Sequence, residues 1–356
     1  MNSNLRSAGV STTATAGLYR VAIVGAASLK GKEVAEMLEQ RNFPAADVRL
    51  LDDDETLGQL EAVKDEITFI QSVRAEQFEH VDFTFFASDA ECTRANWKQV
   101  QQAGSAIVDL SYALEAEPEA TVRAPWLERQ LGNVAAPSLQ PGPAVIAHPA
   151  SVVLALVLSR LQTAIPVARA IATVLEPASE HGQKGMDELH QQTVNLLSFQ
   201  PLPKQVFDSQ VAFNMISQFG PQSEESLAAV AQRIVNHYKK IVGDRAPVPS
   251  LRAFQAPVFH GHAISLHVEF ETGRGVEAIS SALAGEHVSV ISSHDEAPSN
   301  VSAAGQGDIL VSVTADADHR NSAWIWAASD NLRIAALTAV ECAEAMAATR
   351  PRGHIQ

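Results

Sequence analysis

Tyr19-Arg-Val-Ala-Ile-Val24, followed at once by Gly25-Ala-Ala-Ser28-Leu-Lys-Gly31, is the stretch that decides the fold. The first run is short and rich in strand formers, the glycine opens a tight turn, and Val34, Met37 and Leu38 then recur at helical spacing until Asn42-Phe-Pro44 stops them. Strand, turn and helix in that order begin a parallel α/β unit. Working outward, further strands read at Val48–Leu51, which ends in Asp52-Asp-Asp54, and at Ile67–Ile70, Val81–Phe86 and Ala106–Asp109. Strands of this length separated by helical stretches predict a doubly wound, mostly parallel sheet.

From about residue 148 the texture changes. Ser151 to Ile165 is apolar on nearly every side and predicts a buried helix. Ala168–Val174 reads as a strand, and Gly182-Gln-Lys-Gly-Met186 leads into a helix carrying Leu189, Leu196 and Leu197. Over 223–242, apolar Leu227, Val230, Ile234, Tyr238 and Ile241 make one helical face, with Ser223 as N-cap and Glu224 and Glu225 in the first turn. Ala263–Phe270 alternates strictly, with Ile264, Leu266, Val268 and Phe270 on one side, as a half-buried strand of an antiparallel sheet does. Strands at Asp308–Thr314 and Ala323–Ala328 and a helix from Asp330 to about Ala348 complete the chain.

The 356 residues are 46% hydrophobic and 19% charged with a net charge of −15, which disfavours a phosphate backbone and excludes nucleic acid as the expected partner. Apolar runs such as Val152–Leu158 fall short of the ~18 residues of a membrane span, and residues 1–17 are Ser/Thr/Ala-rich without a hydrophobic signal core. The expectation is a cytoplasmic protein with a loose tail and no membrane partner. Two cysteines, Cys92 and Cys342, are too few for a disulfide framework or a cysteine-based zinc site.

In this order the segments resemble the aspartate-semialdehyde dehydrogenase family from about residue 19 to 348. The residues that carry the resemblance are Gly25-Ala26 with Gly31, Val108-Asp-Leu-Ser-Tyr-Ala113, Ile146-Ala-His-Pro149, Gly182-Gln-Lys-Gly-Met-Asp-Glu-Leu189 with Gln192, Pro257-Val-Phe-His-Gly-His262, and Asp330-Asn-Leu-Arg333. The resemblance implies a Rossmann-like dinucleotide domain, 18–147 completed by 330–356, and an α+β catalytic and dimerisation domain with a mixed sheet, 148–329. It also implies a homodimer and an NADP-dependent reductive dephosphorylation of β-aspartyl phosphate through a cysteine thioester.

Carried over residue by residue, that chemistry meets departures. The family's Asn-Pro-x-Cys reads His148-Pro-Ala-Ser151 here, so serine stands at the nucleophile's position, where it also suits a helix N-cap. A hydroxyl needs an activating base where a thiolate does not. Neither cysteine substitutes, since Cys92 falls in a strand-to-helix connection and Cys342 in the last helix. The family's positioning glutamine aligns with Glu176, its substrate-carboxylate arginine with Gln255, its phosphate-site arginine with Glu115 and its phosphate-site lysine with Ser226. His262 is retained at the family's acid/base position, and Glu188 falls in a motif that the family uses. Cations that clamp carboxylates and phosphates are thus replaced, and Glu115 with Glu176 would leave an acidic pocket suited to an amine-bearing ligand.

The nucleotide turn departs as well. Ser28 replaces the middle glycine between Gly25 and Gly31, Ala87-Ser-Asp-Ala90 replaces a glycine-rich turn, and Asp52-Asp-Asp54 stands where the family meets the NADP 2′-phosphate. The expectation is that no cofactor is required, that NAD binds weakly through Asp52, and that NADP does not bind. No metal is expected, because alternation separates His260 and His262 from His267. The reading is a non-catalytic dimeric paralogue of the family with an unidentified protein partner. Its alternative is an NAD-linked oxidoreductase acting on an aldehyde or another substrate with altered catalytic residues.

Overall fold

Val21-Ala-Ile-Val24 is buried on both faces, as the central strand of a parallel sheet must be. The computed structural model describes residues 19–52, 60–63, 66–132, 142–292 and 294–349. The expected tail at 1–17, and Asp53 and Asp54, lie outside the described residues.

Strand β1 (Tyr19–Val24) passes through the turn into α1 (Leu29–Gln40), then β2 (Ala45–Asp52). Strands β3 (Leu60–Val63) and β4 (Glu66–Phe69) form a separate antiparallel ribbon. The strand expected at Ile67–Ile70 therefore exists but is bonded to β3, and the short β5 (Gln71–Ser72) takes the edge position beside β2. The chain continues through β6 (Phe83–Phe86), α2 (Ala90–Gln102), β7 (Ala106–Asp109), β8 (Thr121–Arg123), α3 (Pro125–Gln130) and β9 (Ala144–Ile146). The sheet order is β5-β2-β1-β6-β7-β9-β8, parallel throughout. The order reverses between β1 and β6, which leaves a crevice beyond their carboxyl ends.

Helix α4 (Pro149–Ala164) is buried over almost its whole length, as its unbroken apolar composition requires. It leads into β10 (Val167–Glu176), a 3-10 turn over Ala178–His181, α5 (Gly182–Leu197), α6 (Leu227–Val242), β11 (Ser250–Gln255) and β12 (His262–Phe270). Helix α7 (Val276–Leu283), β13 (Val288–Val290), α8 (Asn300–Ala303), β14 (Ile309–Ala315), β15 (Ser322–Ser329) and α9 (Asn331–Thr349) follow. The second sheet is mixed, with order β11-β10-β12-β15-β14-β13. In β12 the expected alternation holds: Ile264, Leu266, Val268 and Phe270 are buried, while Glu269 is exposed.

Helix α9 returns to pack on α1, α3, β7 and β9. Its Arg333 bridges Glu33 at 3.2 Å and Glu36 at 3.0 Å, which ties the last helix to the first. The amphipathic helix begins later than its pattern suggested. Ser226, not Ser223, caps α6 by accepting from Ala229 N at 3.1 Å, because the Ser223 hydroxyl donates to Val206 O at 2.8 Å.

Candidate active-site cluster

The amino ends of α1, α4 and α9 meet the ends of β10 and β11 and the start of β12, and the side chains there form one connected polar cluster. His262, wholly buried at the start of β12, shares a 2.9 Å hydrogen bond between its Nε2 and Glu176 Oε2 at the end of β10. Burial opposes charge on His262, but the adjacent Glu176 carboxylate outweighs it and the imidazole's pKa is raised. His148, the residue before α4, is buried within 5.5 Å of the His262 ring, and there burial drives the pKa well down. Glu180, in the 3-10 turn, places Oε2 3.9 Å from His148 Nε2 and 3.9 Å from Lys30 Nζ, while Asn331 Nδ2 donates to its other oxygen at 2.7 Å. Burial works against the Glu180 carboxylate, yet Lys30 and the two histidines hold its pKa down.

Tyr112 lies beside this group with the His148 ring stacked on it at 5.7 Å and the Lys30 and Arg233 cations over its faces at 4.8 Å and 5.0 Å. Its backbone is left-handed, φ 63°, a conformation that a bulky residue adopts only where its surroundings impose it. On the far side, Arg233 and His237 of α6 both reach Glu115, at 3.1 Å and 3.2 Å, and Arg233 also pairs with Glu225 at 2.5 Å. Burial pushes the Glu115 carboxyl up, but the bonds from His237 and Arg233 prevail and its pKa is lowered.

The expected residues are therefore placed unequally. Glu176 and His262 form a buried pair. Gln255 adjoins them in the sheet, and its Nε2 donates to the backbone oxygens of Glu176 and Ala256, both at 3.0 Å. Ser151 is wholly buried in the first turn of α4 and donates to Ile234 O at 2.9 Å; the N-cap is His148, three residues before the expected serine cap. Ser226 is a helix cap. Glu188 does not join the cluster: it is buried and accepts from Val206 N at 2.6 Å and Phe207 N at 3.2 Å, fastening the segment after α5. Cys92 sits in the first turn of α2, where Asp89 is the N-cap and accepts its N–H at 2.8 Å. The expected acidic pocket is corrected as well, because Glu115 is paired with Arg233 and His237, and Glu176 with His262.

Sequence alone does not mark Lys30, Tyr112, His148, Glu180, Arg233, His237 and Asn331 as site residues. The spacing of Arg233 and His237, one helical turn apart, is the one signal that would have placed two of them on a common face. The histidines group differently from the expectation too, since His262 joins His148 and Glu180, with ligand atoms all within 4.8 Å, rather than its sequence neighbours.

The nucleotide turn is intact as a cradle. Gly25 has φ 82°, and a Cβ there would lie 2.4 Å from Ser88 N; one on Gly31 would lie 2.1 Å from Gly25 O. Ser28 caps α1 by accepting from Gly31 N at 2.9 Å and donating to Ala87 O at 2.9 Å, so its side chain occupies the space between the two turns without displacing either. Helical bonding leaves the Leu29 and Lys30 N–H groups for an anionic group at the amino end of α1. Asp52 closes β2 and accepts from Ala27 N at 2.7 Å, on the side where a ribose would lie.

Comparison with known proteins agrees with this cradle. Residues 20–134 match the family model "Semialdehyde dehydrogenase, NAD binding domain", and residues 158–334 match "Semialdehyde dehydrogenase, dimerisation domain". The chain is 31% identical over 323 residues to a USG-1 protein homolog of Pseudomonas aeruginosa, covering 90% of this chain and 95% of that protein. It is 26% identical to an aspartate-semialdehyde dehydrogenase of Rickettsia bellii over 93% of this chain and 98% of the relative. A solved structure described as a probable aspartate-semialdehyde dehydrogenase from Pseudomonas aeruginosa superposes with a TM-score of 0.80 at 29% identity, covering 92% of this chain and 97% of that one. In fold alone, the Candida albicans enzyme solved with NADP is similar too, with a TM-score of 0.62 at 14% identity.

These findings correct the cofactor expectation. Ser28, Asp52 and Asp89 suggest a chain that needs no cofactor and takes NAD weakly and NADP not at all, yet residues 20–134 match the family's NAD-binding domain, which points to a nucleotide cofactor in the family. The physical reason is that Ser28 and Asp89 are absorbed by capping bonds within the turns rather than projecting as obstacles.

Proposed function

The chain belongs to the semialdehyde dehydrogenase family, and from that premise we propose that it keeps the family's nucleotide-binding, dimeric frame while having lost the thioester chemistry of aspartate-semialdehyde dehydrogenases. One observation carries the reading: the hydroxyl at the nucleophile's position, Ser151 Oγ, is buried and commits its proton to Ile234 O at 2.9 Å. A serine attacks only when a base takes that proton. The proton here faces a backbone carbonyl instead. Loss of a lone nucleophile costs about 10⁶ in kcat, on the order of 8 kcal/mol.

The other substituted positions support it in the same way. Glu115 is held by Arg233 and His237, Gln255 by two backbone oxygens, and Ser226 by the helix it caps, so each is engaged within the protein rather than presented to an acyl phosphate. A bound nicotinamide nucleotide would supply hydride transfer, held by the Gly25–Gly31 turn and the amino end of α1. We take 18–147 with 330–356 as the nucleotide unit and 148–329 as the dimerisation unit, a division supported by the packing of α9 on α1, α3, β7 and β9. The test is phosphate-dependent nucleotide reduction with aspartate semialdehyde. Turnover at least about a thousandfold below an ordinary family enzyme is expected, and turnover within tenfold of one would refute the reading.

Assembly follows from the second sheet. Its outer face carries Ile171 at 41% and Trp324 at 47% exposure, large apolar groups that an isolated sheet leaves in water. A homodimer of about 76 kDa, twice the 38.1 kDa chain, would cover them isologously. Light scattering showing a monomer at micromolar concentration would contradict it.

A second reading is favoured by the Glu176–His262 pair. A buried imidazole oriented by a carboxylate at 2.9 Å can hold or accept a proton from a substrate hydroxyl or aldehyde hydrate, which would make the chain an NAD-linked oxidoreductase of altered chemistry. Cofactor-dependent turnover on an aldehyde panel, abolished by His262→Ala, would establish it over the first reading.

A further inference from the structure

His148, Glu180 and His262 come from three separate elements, yet one ligand atom from each lies within 4.8 Å of the others. We propose that these three side chains bind one first-row divalent metal ion of the zinc type.

The donor set is two imidazoles and one carboxylate, which leaves a fourth position open, as in three-ligand zinc sites. Bonds of about 2.1 Å put ligand atoms roughly 3.4 Å apart, and His148 Nε2 is already 3.9 Å from Glu180 Oε2. With all three ligand atoms within 4.8 Å of one another, closing the site asks side chains to move by up to about 1.4 Å. His262 uses Nε2 for Glu176, which leaves Nδ1 as its ligand atom; that nitrogen is buried and without a hydrogen-bond partner among the described residues. A wholly buried imidazole nitrogen with no partner is costly unless something occupies it.

The surrounding groups are those that orient metal ligands. Glu176 accepts from His262 on the side away from the site, the arrangement that fixes a ligating imidazole. Asn331 Nδ2 holds Glu180 Oε1 at 2.7 Å, which leaves Oε2 for the ion. His148 Nδ1 accepts the Ala150 N–H at 3.3 Å, so coordination through Nε2 moves the imidazole proton to Nδ1 and gives up that long contact. Lys30 Nζ, 3.9 Å from Glu180 Oε2, is the competing cation, and its hydrogen bond to Leu110 O at 3.2 Å provides a place to retreat.

The experiment uses the full chain, stripped with chelator, and Co²⁺ as the probe, read by its visible absorption without substrate or nucleotide. Its outcome is therefore separate from the activity assay. The expected result is bands that saturate at one Co²⁺ per chain and are displaced by Zn²⁺. His148→Asn and Glu180→Gln should lose them, and Glu176→Gln should weaken binding about 10–100-fold. Should a variant fail to fold, the wild-type stoichiometry and a Zn²⁺-dependent rise in its melting temperature decide the matter alone. Absence of bands in the wild type, or bands unchanged in both ligand variants, would overturn the proposal and leave Lys30 as the cluster's cation.

Discussion

The turn after β1 and the turn after β9 are the same device, a buried parallel strand running into the amino end of a helix, but each uses its serine differently. At the first, Ser28 adds a side chain where the resembling family has glycine, and the structure absorbs it as a cap between Gly31 N and Ala87 O. At the second, Ser151 stands where the resembling family has cysteine and donates to Ile234 O, while His148 caps the helix with Glu180 beside it. The first serine is tied within its own pair of turns, whereas the second is tied to α6 beside a polar cluster drawn from several elements.

The largest effect that would sharpen this contrast lies in the second region. His262→Ala leaves the Glu176 carboxylate buried without its partner, and a loss of about 3–5 kcal/mol is expected from denaturant midpoints. A loss below about 1 kcal/mol would mean that the pair is not buried as described. In the first region, Gly25→Ala forces a Cβ to 2.4 Å from Ser88 N at φ 82°, and about 2–4 kcal/mol should be lost together with nicotinamide nucleotide binding by calorimetry. Unchanged binding would break the claim that this turn is a working cradle.

The fold was legible because its periodicities are strong. The β1–turn–α1 unit, the apolar α4 and the alternation of β12 each announce themselves within a few residues. The cluster was legible only in part, since a sequence shows which residues were replaced but not what the replacements bond to. Glu180 sits in Pro177-Ala-Ser-Glu-His-Gly182, a stretch without periodicity, and only the fold brings it to His148 and Asn331. Ser223 and Ser226 are equal candidates for the cap of α6, and the choice is made by Val206 O, distant in sequence, which takes the first hydroxyl.

Two smaller effects separate structural from ligand-binding roles. Ser226→Ala should cost about 1 kcal/mol, the worth of an N-cap, with ligand binding unchanged; altered binding would restore the position to the site. Glu115 has its pKa lowered in the folded protein, so its contribution is present above the unfolded carboxylate's value near 4.5 and is lost as the pH falls through the lower folded value. Wild type and Glu115→Gln should therefore differ by no more than about 1 kcal/mol at neutral pH and converge in acid. A difference that grows on acidification would have the wrong sign.

The most direct measurement is the aspartate-semialdehyde assay repeated on Ser151→Cys. The thiol would stand at the nucleophile's position, but His148, Glu180, Glu115 and Gln255 would still form their present bonds. If the cluster was rebuilt as a unit, activity stays at least about a thousandfold below that of an ordinary family enzyme. Recovery to within tenfold by that single change would show that the pocket is intact and that only the nucleophile was lost.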